Sequence, residues 1–319
     1  MMPTPSILVA TWGDGLFSVT SKTVQQELAD QSVCSLVADG RGGVLAIVGG
    51  HSLRRRSSDG EWTEIERSGF KLSCCVPIGN VVFVGTDDAR ILRVDPDGAP
   101  QCLTGFDAVE GRDRWYAGAA IIDGRLMGPP LGIRSMAATC DGAALLANVH
   151  VGGVPRSTDG GLTWRPTIDI DSDVHQVCAH PTRLDIVIAA AAAGLCISRD
   201  AGATWTTEQR GLHAHHCSAV AFGRNDIFVA ASTDPFATQG AVYRRPIDSN
   251  DPLQPLGGGM PKWIGGIADT NCIATRDSMV AVIDRSGRLY LSHDDGAAWS
   301  YPFDRLIARL TVPSGLHIC

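Results

Sequence analysis

The chain has 319 residues, of which 44% are hydrophobic and 19% charged, and its formal net charge is −7. It contains 36 Gly and 17 Pro, which interrupt long helices, so the composition favours many short strands joined by tight turns. The acidic balance argues against a nucleic-acid partner, and no run approaches the ~18 apolar residues of a membrane helix, so we expect no membrane partner.

The cysteines and the start of the chain indicate a compartment. The ten Cys show no CxxC spacing, and several lie inside apolar runs. The first residues lack a basic stretch followed by a long apolar one, so we expect no signal peptide. Buried free thiols in a reducing cytoplasm are the interpretation that fits both observations.

Apolar runs come in pairs along the chain, and each pair predicts two neighbouring strands. The six pairs are 33–38 with 44–48, 72–76 with 81–84, 133–138 with 144–149, 174–179 with 186–193, 217–222 with 227–231, and 272–275 with 279–283. Further runs lie at 7–11 and 16–19 near the start and at 306–312 near the end. One connection, at about 106–132, is long and predicts an inserted loop.

A short motif recurs after several of these pairs. The pattern S-x-D-x-G-x-T-W occurs at 157–164 and 198–205, with Ala298 in place of Thr at 292–299 and a shortened copy at 57–62. An Asp side chain accepts hydrogen bonds from backbone N–H groups in a turn, Gly takes positive φ, and Trp is a large apolar wedge between sheets. These residue types predict a structural turn between two strands, and not a catalytic aspartate.

The motif resembles the Asp-box, or BNR repeat, of a superfamily of β-propellers that includes sialidases and sortilin-type receptor domains. The resemblance implies an all-β, seven-bladed β-propeller with four-stranded blades, forming a single domain over 1–319. Six blades follow from the six pairs of runs. The seventh combines 7–11 and 16–19 with 306–312 as its inner strand, so that both ends of the chain close the ring.

Sialidase activity is not expected in spite of the resemblance. Those enzymes hold a carboxylate with three Arg and use a Tyr–Glu pair, and the first Arg lies in an Arg-Ile-Pro motif near the N-terminus. The first 50 residues of this chain contain only Arg41, and only four Tyr occur in the whole sequence. The resemblance therefore predicts the fold and supplies no activity.

In propellers of this type, loops entering inner strands and loops leaving second strands share one face. That geometry places five histidines together around the mouth of the central channel, and neutral imidazole is the commonest protein ligand of zinc. We predict metal ligands at His150, His175 and His216, with His215 and His51 as further members. Zn is the first choice of metal, and Mn, Fe and Ca remain open. A polar channel lined by His without chemistry is the alternative.

Other groups are predicted on the same face. Asp173 and Asp269 are candidates to orient an imidazole or accept a proton. Trp115, Tyr116 and Trp263 are candidates to wall a small-molecule substrate, with Arg134 as a further binding residue. Two functions stay open: a metal-dependent hydrolase or lyase of an ester, phosphoester or lactone, or a non-catalytic scaffold that binds a protein or small ligand on this face. The oligomeric state does not follow from the sequence.

Overall fold

The computed structural model describes residues 5–117, 120–122, 125–127, 131–301 and 312–319, with the backbone alone at 120–122 and 125–127. The fold is an all-β, seven-bladed β-propeller, as predicted. Among the described residues, helix is limited to Thr104–Asp107 and a 3-10 turn at Arg112–Arg114. No helix in these ranges has the length and apolar character needed to cross a membrane.

The chain forms two compact units, one of residues 1–36 and 208–319 and the other of residues 37–207. The second unit contains most of blades 1 to 4, which are numbered in chain order. Each is one antiparallel sheet whose strands follow the sequence. Blade 1 comprises Val33–Ala38, Val44–Val48, Ser52–Arg56 and Trp62–Arg67. Blade 2 comprises Leu72–Ile78, Val81–Thr86, Ile91–Val94 and Gln101–Cys102. Blade 3 comprises Ile133–Ala138, Leu145–Val149, Pro155–Ser157 and Arg165–Pro166. Blade 4 comprises Val174–Ala179, Val187–Ala191, Gly194–Ser198 and Thr206–Glu208.

The first unit contains the remaining three blades. Blade 5 comprises His216–Phe222, Asp226–Ser232, Gln239–Pro246 and Gln254–Pro255, and Ile264–Gly265 also pairs with its third strand. Blade 6 comprises Ile273–Arg276, Met279–Ile283 and Leu289–Ser292, and Leu291 forms a further bridge with Ser300. The closing blade combines Pro313–Ile318 with Ile7–Thr11, Leu16–Val19 and Val24–Glu27.

The closing blade confirms that both ends of the chain share one sheet, but its first strand is not where the sequence predicted it. That strand is Pro313–Ile318, and not 306–312, of which residues 306–311 lie outside the described residues. Ile318 pairs with Ile7 and Leu316 with Val9, and all four side chains are buried. Pairing with the buried run at 7–11 therefore decides which segment forms the strand.

The insertion predicted at about 106–132 is only partly described. It contains the 3-10 turn and a two-stranded sheet of Ala120–Ile122 and Arg125–Met127. The expectation that residues 1–319 form one domain with this insertion stays a prediction.

The repeated S-x-D-x-G turns share one hydrogen-bond pattern. In the copy at 157–164, the Gly161 N–H donates to Ser157 Oγ at 2.9 Å, and the Thr163 N–H donates to Asp159 Oδ1 at 2.9 Å. Gly161 has φ +91°, which explains why glycine is needed there. The copies at 198–205 and 292–299 repeat both contacts at 2.8–2.9 Å. The aspartate thus organises the turn.

Candidate functional site

Two imidazoles converge on one carboxylate at an edge shared by blades 3 and 4. His150 Nε2 lies 3.0 Å and His175 Nε2 lies 3.1 Å from the same atom, Asp173 Oδ1. One ligand atom from each of the three residues lies within 4.8 Å of the others, and no other such group of His, Cys, Asp or Glu occurs in the described part of the chain. Both histidines are buried, whereas the Asp173 side chain is 33% exposed. The cluster is therefore enclosed on the histidine side and open on the aspartate side.

The backbone holds His150 and Asp173 against each other. His150 follows the second strand of blade 3, and its carbonyl accepts the Val174 N–H at 2.9 Å. The next residue, Val151, forms a backbone bridge with Asp173, whose carbonyl accepts the Ala192 N–H at 2.9 Å. Short backbone ladders therefore position the two loops that carry the site.

Arg134 and His175 each lie at a β-bulge in the first strand of their blade. The pairing register shifts between Ile133 and Ser135 in blade 3 and between Val174 and Gln176 in blade 4, so the residue in between is the extra one. Blades 2 and 5 have the same shift with Ser73 and Ser218 as the extra residues, and each serine hydroxyl donates to a backbone carbonyl at 2.6 Å. A bulge re-aims one side chain relative to the strand. Serine suits this position structurally, so the arginine and histidine of blades 3 and 4 are departures that point to another role.

A buried hydrogen-bond network ties the first strands of blades 3 and 4 together next to these bulges. The Val177 N–H donates to Ser135 Oγ at 2.9 Å, and that hydroxyl donates to Asn148 Oδ1 at 2.8 Å. The Asn148 amide donates in turn to the Val174 carbonyl. Ser135 and Asn148 are both buried, so the network fixes the backbone that carries Arg134 and His175.

Asp173 Oδ1 is buried between the two imidazole nitrogens. A buried carboxylate oxygen needs a donor or a positive charge beside it. Ligand atoms that bind one ion at about 2.0–2.2 Å lie roughly 3–3.6 Å apart, and the two N···O separations fall at the short end of that range. Two imidazoles and one carboxylate are a donor set that suits Zn²⁺ and Fe²⁺. The residues present therefore fit a divalent metal.

Arg134 adds a cation beside the cluster. Its Nη1 lies 3.0 Å from His150 Nε2, and because a guanidinium has no acceptor, the imidazole nitrogen accepts this hydrogen bond. Burial lowers the pKa of His150 below its ordinary value, and the Arg134 charge acts in the same direction while Asp173 opposes it. Burial raises the pKa of Asp173, but the two neighbouring imidazoles outweigh this effect, so the pKa lies well below its ordinary range. At neutral pH the site thus combines a neutral His150 with an ionised Asp173.

The other predicted metal ligands are placed differently. His51 is exposed and its Nδ1 lies 2.9 Å from the Phe70 carbonyl oxygen. His215 is exposed and His216 begins the first strand of blade 5; both belong to the other compact unit. None of these three residues belongs to the group of ligand atoms around Asp173. The carboxylate, predicted to assist an imidazole, occupies the place that a third histidine was expected to fill.

The predicted residues of the first unit also lie outside this cluster. Asp269 Oδ2 is 3.4 Å from an Arg285 nitrogen, and its Oδ1 accepts the Thr270 N–H. Trp263 contacts the His213 ring edge to face at 4.7 Å. Neither residue is part of the group formed by His150, Asp173 and His175.

The two aromatic residues predicted in the insertion behave in opposite ways. Trp115 is buried in the core, with its ring 5.4 Å from Phe106 and the Arg112 guanidinium 4.8 Å over it, so it is not placed as the wall of an open pocket. Tyr116 is 55% exposed, and its backbone pairs with Val151 beside the site. Tyr116 is therefore the better placed of the two to meet a ligand.

Sequence reasoning missed the contact between Arg134 and His150 and the role of the bulges. The residues 134 and 175 occupy equivalent positions after the start of their first strands, where blades 2 and 5 have Ser73 and Ser218. Aligning the first strands of the blades would have shown this exchange of serine for Arg and His. The signal was present in the sequence but depends on knowing the blade register.

No protein-family model and no curated protein matches this chain. Solved structures with a similar fold include a candidate 6-phosphogluconolactonase from Bacteroides uniformis, with TM-score 0.66 and 12% identity, covering 99% of both chains. A GH74 enzyme from Niastella koreensis has TM-score 0.61 and 14% identity over 92% of this chain, and the GH74 xyloglucanase from Xanthomonas campestris has TM-score 0.59 and 16% identity over 93%. This chain spans 46% of the length of each GH74 enzyme. At these identities the likeness is one of fold.

Proposed function

We propose that this protein is a metal-dependent hydrolase that cleaves an ester or lactone of a small molecule, with His150, Asp173 and His175 holding the metal. The observation that carries the proposal is the convergence of His150 Nε2 and His175 Nε2 on one oxygen, Asp173 Oδ1, at 3.0 and 3.1 Å. Zn²⁺ is the first candidate, and Fe²⁺ and Mn²⁺ suit the same donors. A bound divalent metal supplies Lewis-acid chemistry: it polarises a carbonyl and lowers the pKa of bound water.

The chain's own residues have distinct parts in this proposal. His150 stays neutral at neutral pH and keeps a lone pair for a ligand, because burial lowers its pKa. Asp173 stays ionised and contributes the negative charge that compensates a cation. In the overall reaction, water adds its OH to the carbonyl carbon and its second proton to the departing alkoxide oxygen as the C–O bond breaks. The 33% exposure of the Asp173 side chain leaves a side on which a substrate can approach.

The choice of reaction draws on the names of the similar solved propellers. The neighbours named above carry hydrolase names, and one is a candidate lactonase that matches over 99% of both chains. We propose lactones and esters before phosphoesters on that basis. We also propose that the chain belongs to the Asp-box propellers without the sialidase residues, since its three S-x-D-x-G turns share one hydrogen-bond pattern. A cytoplasmic location fits the buried free thiols, among them Cys74, Cys217 and Cys272.

The test is metal binding followed by activity. Metal-depleted protein is titrated with Zn²⁺, Mn²⁺ and anaerobic Fe²⁺ by calorimetry, and turnover of a panel of lactones, aryl esters and phosphoesters is measured with and without a chelator. We expect one metal per chain and chelator-sensitive turnover. His175→Ala and Asp173→Asn should each weaken binding by more than about tenfold. His51→Ala is the matched control and should bind like the unchanged protein. Absence of metal binding in the unchanged protein would overturn the proposal.

A second candidate is a non-catalytic scaffold that binds a protein or small ligand. It is favoured by three aromatic side chains that are more than half exposed, Trp12, Tyr116 and Phe236. Ligand binding that is insensitive to chelator and to His175→Ala, but is lost in Tyr116→Ala, would support this alternative.

A further inference from the structure

We propose that Arg134 is a displaceable cation: its guanidinium holds His150 when no metal is bound, and metal binding releases it to bind a carboxylate or phosphate of the substrate. This inference rests on the proposed function and adds the substrate class, namely small molecules that carry an oxyanion.

The first step of the argument is competition for one lone pair. The guanidinium is always protonated and has only donors, so the 3.0 Å contact uses the lone pair of His150 Nε2. The same atom lies 3.0 Å from Asp173 Oδ1 and is the His150 atom that a shared metal ion would need. Arg134 and a metal ion therefore cannot both bind that nitrogen.

The second step is that the fold does not require an arginine at this position. Arg134 is the extra residue of a bulge, and in blades 2 and 5 the equivalent residue is a serine whose hydroxyl bonds to a backbone carbonyl. In blade 3 the side chain at this position is that of Arg134, and it reaches Nε2 of His150, a predicted metal ligand. The bulge thus places a positive charge beside the cluster. A purely structural role at this position would need only a hydroxyl, as in Ser73 and Ser218.

The third step concerns where the guanidinium goes once the metal arrives. A divalent cation at the cluster would repel the neighbouring Arg134 guanidinium, and it would bind Asp173, the carboxylate of the cluster. The contact of Arg134 with His150 is then lost, and the planar guanidinium matches a carboxylate or phosphate with two parallel hydrogen bonds. An oxyanion on the substrate satisfies this donor, so metal and oxyanion should bind cooperatively.

The experiment measures Zn²⁺ affinity by calorimetry in sodium acetate and in sodium chloride of the same ionic strength, with acetate as the carboxylate probe. The variants are Arg134→Gln, which removes the charge, and Arg134→Lys, which keeps it. Arg156→Gln is the control, because Arg156 is also in blade 3 but donates to the Ala201 carbonyl. In chloride, Arg134→Gln should bind Zn²⁺ roughly tenfold more tightly than the unchanged protein, since it loses a competing charged hydrogen bond. Arg134→Lys should gain less, and Arg156→Gln should not differ.

Acetate provides the second readout. It should raise Zn²⁺ affinity more in the unchanged protein than in Arg134→Gln, because only the former has a guanidinium to release. Equal Zn²⁺ affinity in the unchanged protein and Arg134→Gln, or an equal acetate effect in both, would overturn the role of Arg134 while leaving the metal site intact. Failure of both proteins to bind Zn²⁺ would overturn the proposed function and this inference with it. Binding by Arg134→Gln alone would support the inference strongly.

Discussion

Glu208 and Arg245 form a buried ion pair in the first unit: Arg245 Nη1 lies 2.9 Å from Glu208 Oε2, and the side chains are 4% and 13% exposed. Arg210 binds the same carboxylate, with its Nε 3.0 Å from Oε1. Arg210 also joins the segment around 250–253, because its carbonyl accepts the Leu253 N–H. Within the first unit, the carboxylate thus connects residues 208–210 to the last two strands of blade 5.

Replacing this carboxylate should destabilise the protein. Glu208→Gln leaves the Arg245 charge buried without a counterion, and breaking such a pair costs about 3 kcal/mol or more. Urea unfolding at pH 7 measures the loss, with exposed Glu110→Gln as the control. Adding Arg245→Met to Glu208→Gln should recover part of the stability, and a double variant as unstable as the sum of both changes would contradict this account.

The same carboxylate should contribute to acid sensitivity. Arg210 is the main cause that lowers the pKa of Glu208 to about 2, from an ordinary value of 4.5. The folded state therefore keeps the carboxylate ionised where the unfolded chain takes a proton, so its contribution is complete above pH 4.5 and is lost as the pH falls towards 2. The free energy of unfolding of Glu208→Gln should fall less steeply over this window than that of the unchanged protein.

His317 should produce a pH effect at higher pH. Burial and the Arg276 charge lower its pKa to about 4 from 6.5, so the folded protein keeps it neutral. The unfolded chain binds a proton first as the pH falls from 6.5, which removes about 1–2 kcal/mol of stability between pH 7 and pH 5. His317→Gln should flatten the pH dependence of the unfolding free energy over this range. An unchanged slope in His317→Gln would rule out this assignment.

The S-x-D-x-G turns should affect stability and not metal binding. Asp200 accepts the Ala203 and Thr204 N–H groups at 3.0 and 2.8 Å and the Thr204 hydroxyl at 2.6 Å. Asp200→Ala should lower the unfolding free energy by roughly 1–3 kcal/mol, and Asp200→Asn, which keeps one acceptor, by less. Zn²⁺ titration of both variants should match the unchanged protein. Loss of binding at full stability would show that the turn has a direct functional role.

The strand Pro313–Ile318 should be essential to the closing blade. Leu316→Ala removes a buried side chain that pairs with Val9, and we expect a loss of about 2–5 kcal/mol. Val312→Ala, at an exposed position just before the strand, is the control. Deletion of 313–319 should lower the melting temperature further than the point variant, and an unchanged melting temperature would contradict the pairing.

Sequence patterns predicted the blades well because each blade is built from segments that are neighbours along the chain. The double apolar runs and the S-x-D-x-G turns lie close together along the chain, and the structure confirms the strands that they predicted. The closing strand was misplaced because 306–312 is the more apolar run, whereas 313–318 begins with proline and contains Gly315. Only its pairing with Ile7–Thr11, far away in sequence, identifies it.

The site was harder to predict because it depends on side-chain direction. His150 and His175 were both expected on one face, and the structure brings their rings within 5.8 Å of each other. His51 also follows the second strand of its blade, yet it lies three residues beyond that strand and its Nδ1 is 2.9 Å from the Phe70 carbonyl oxygen. Trp115 was expected to wall a substrate pocket, and its ring packs in the core. The position of a histidine along a strand does not determine the direction of its ring. A bulge also shifts the alternation of side chains between the two faces of the sheet by one residue.

The closing blade also has a consequence for synthesis on the ribosome. Ile7 is translated about 310 residues before its partner Ile318, an interval of roughly 15–60 s at 5–20 residues per second. During that time the edge of Ile7–Thr11 has no strand beside it, and an unpaired edge can recruit strands of other chains. Nascent chains should therefore be prone to aggregation until Pro313–Ile318 has been translated, and a chaperone that covers this edge should raise the yield of folded protein.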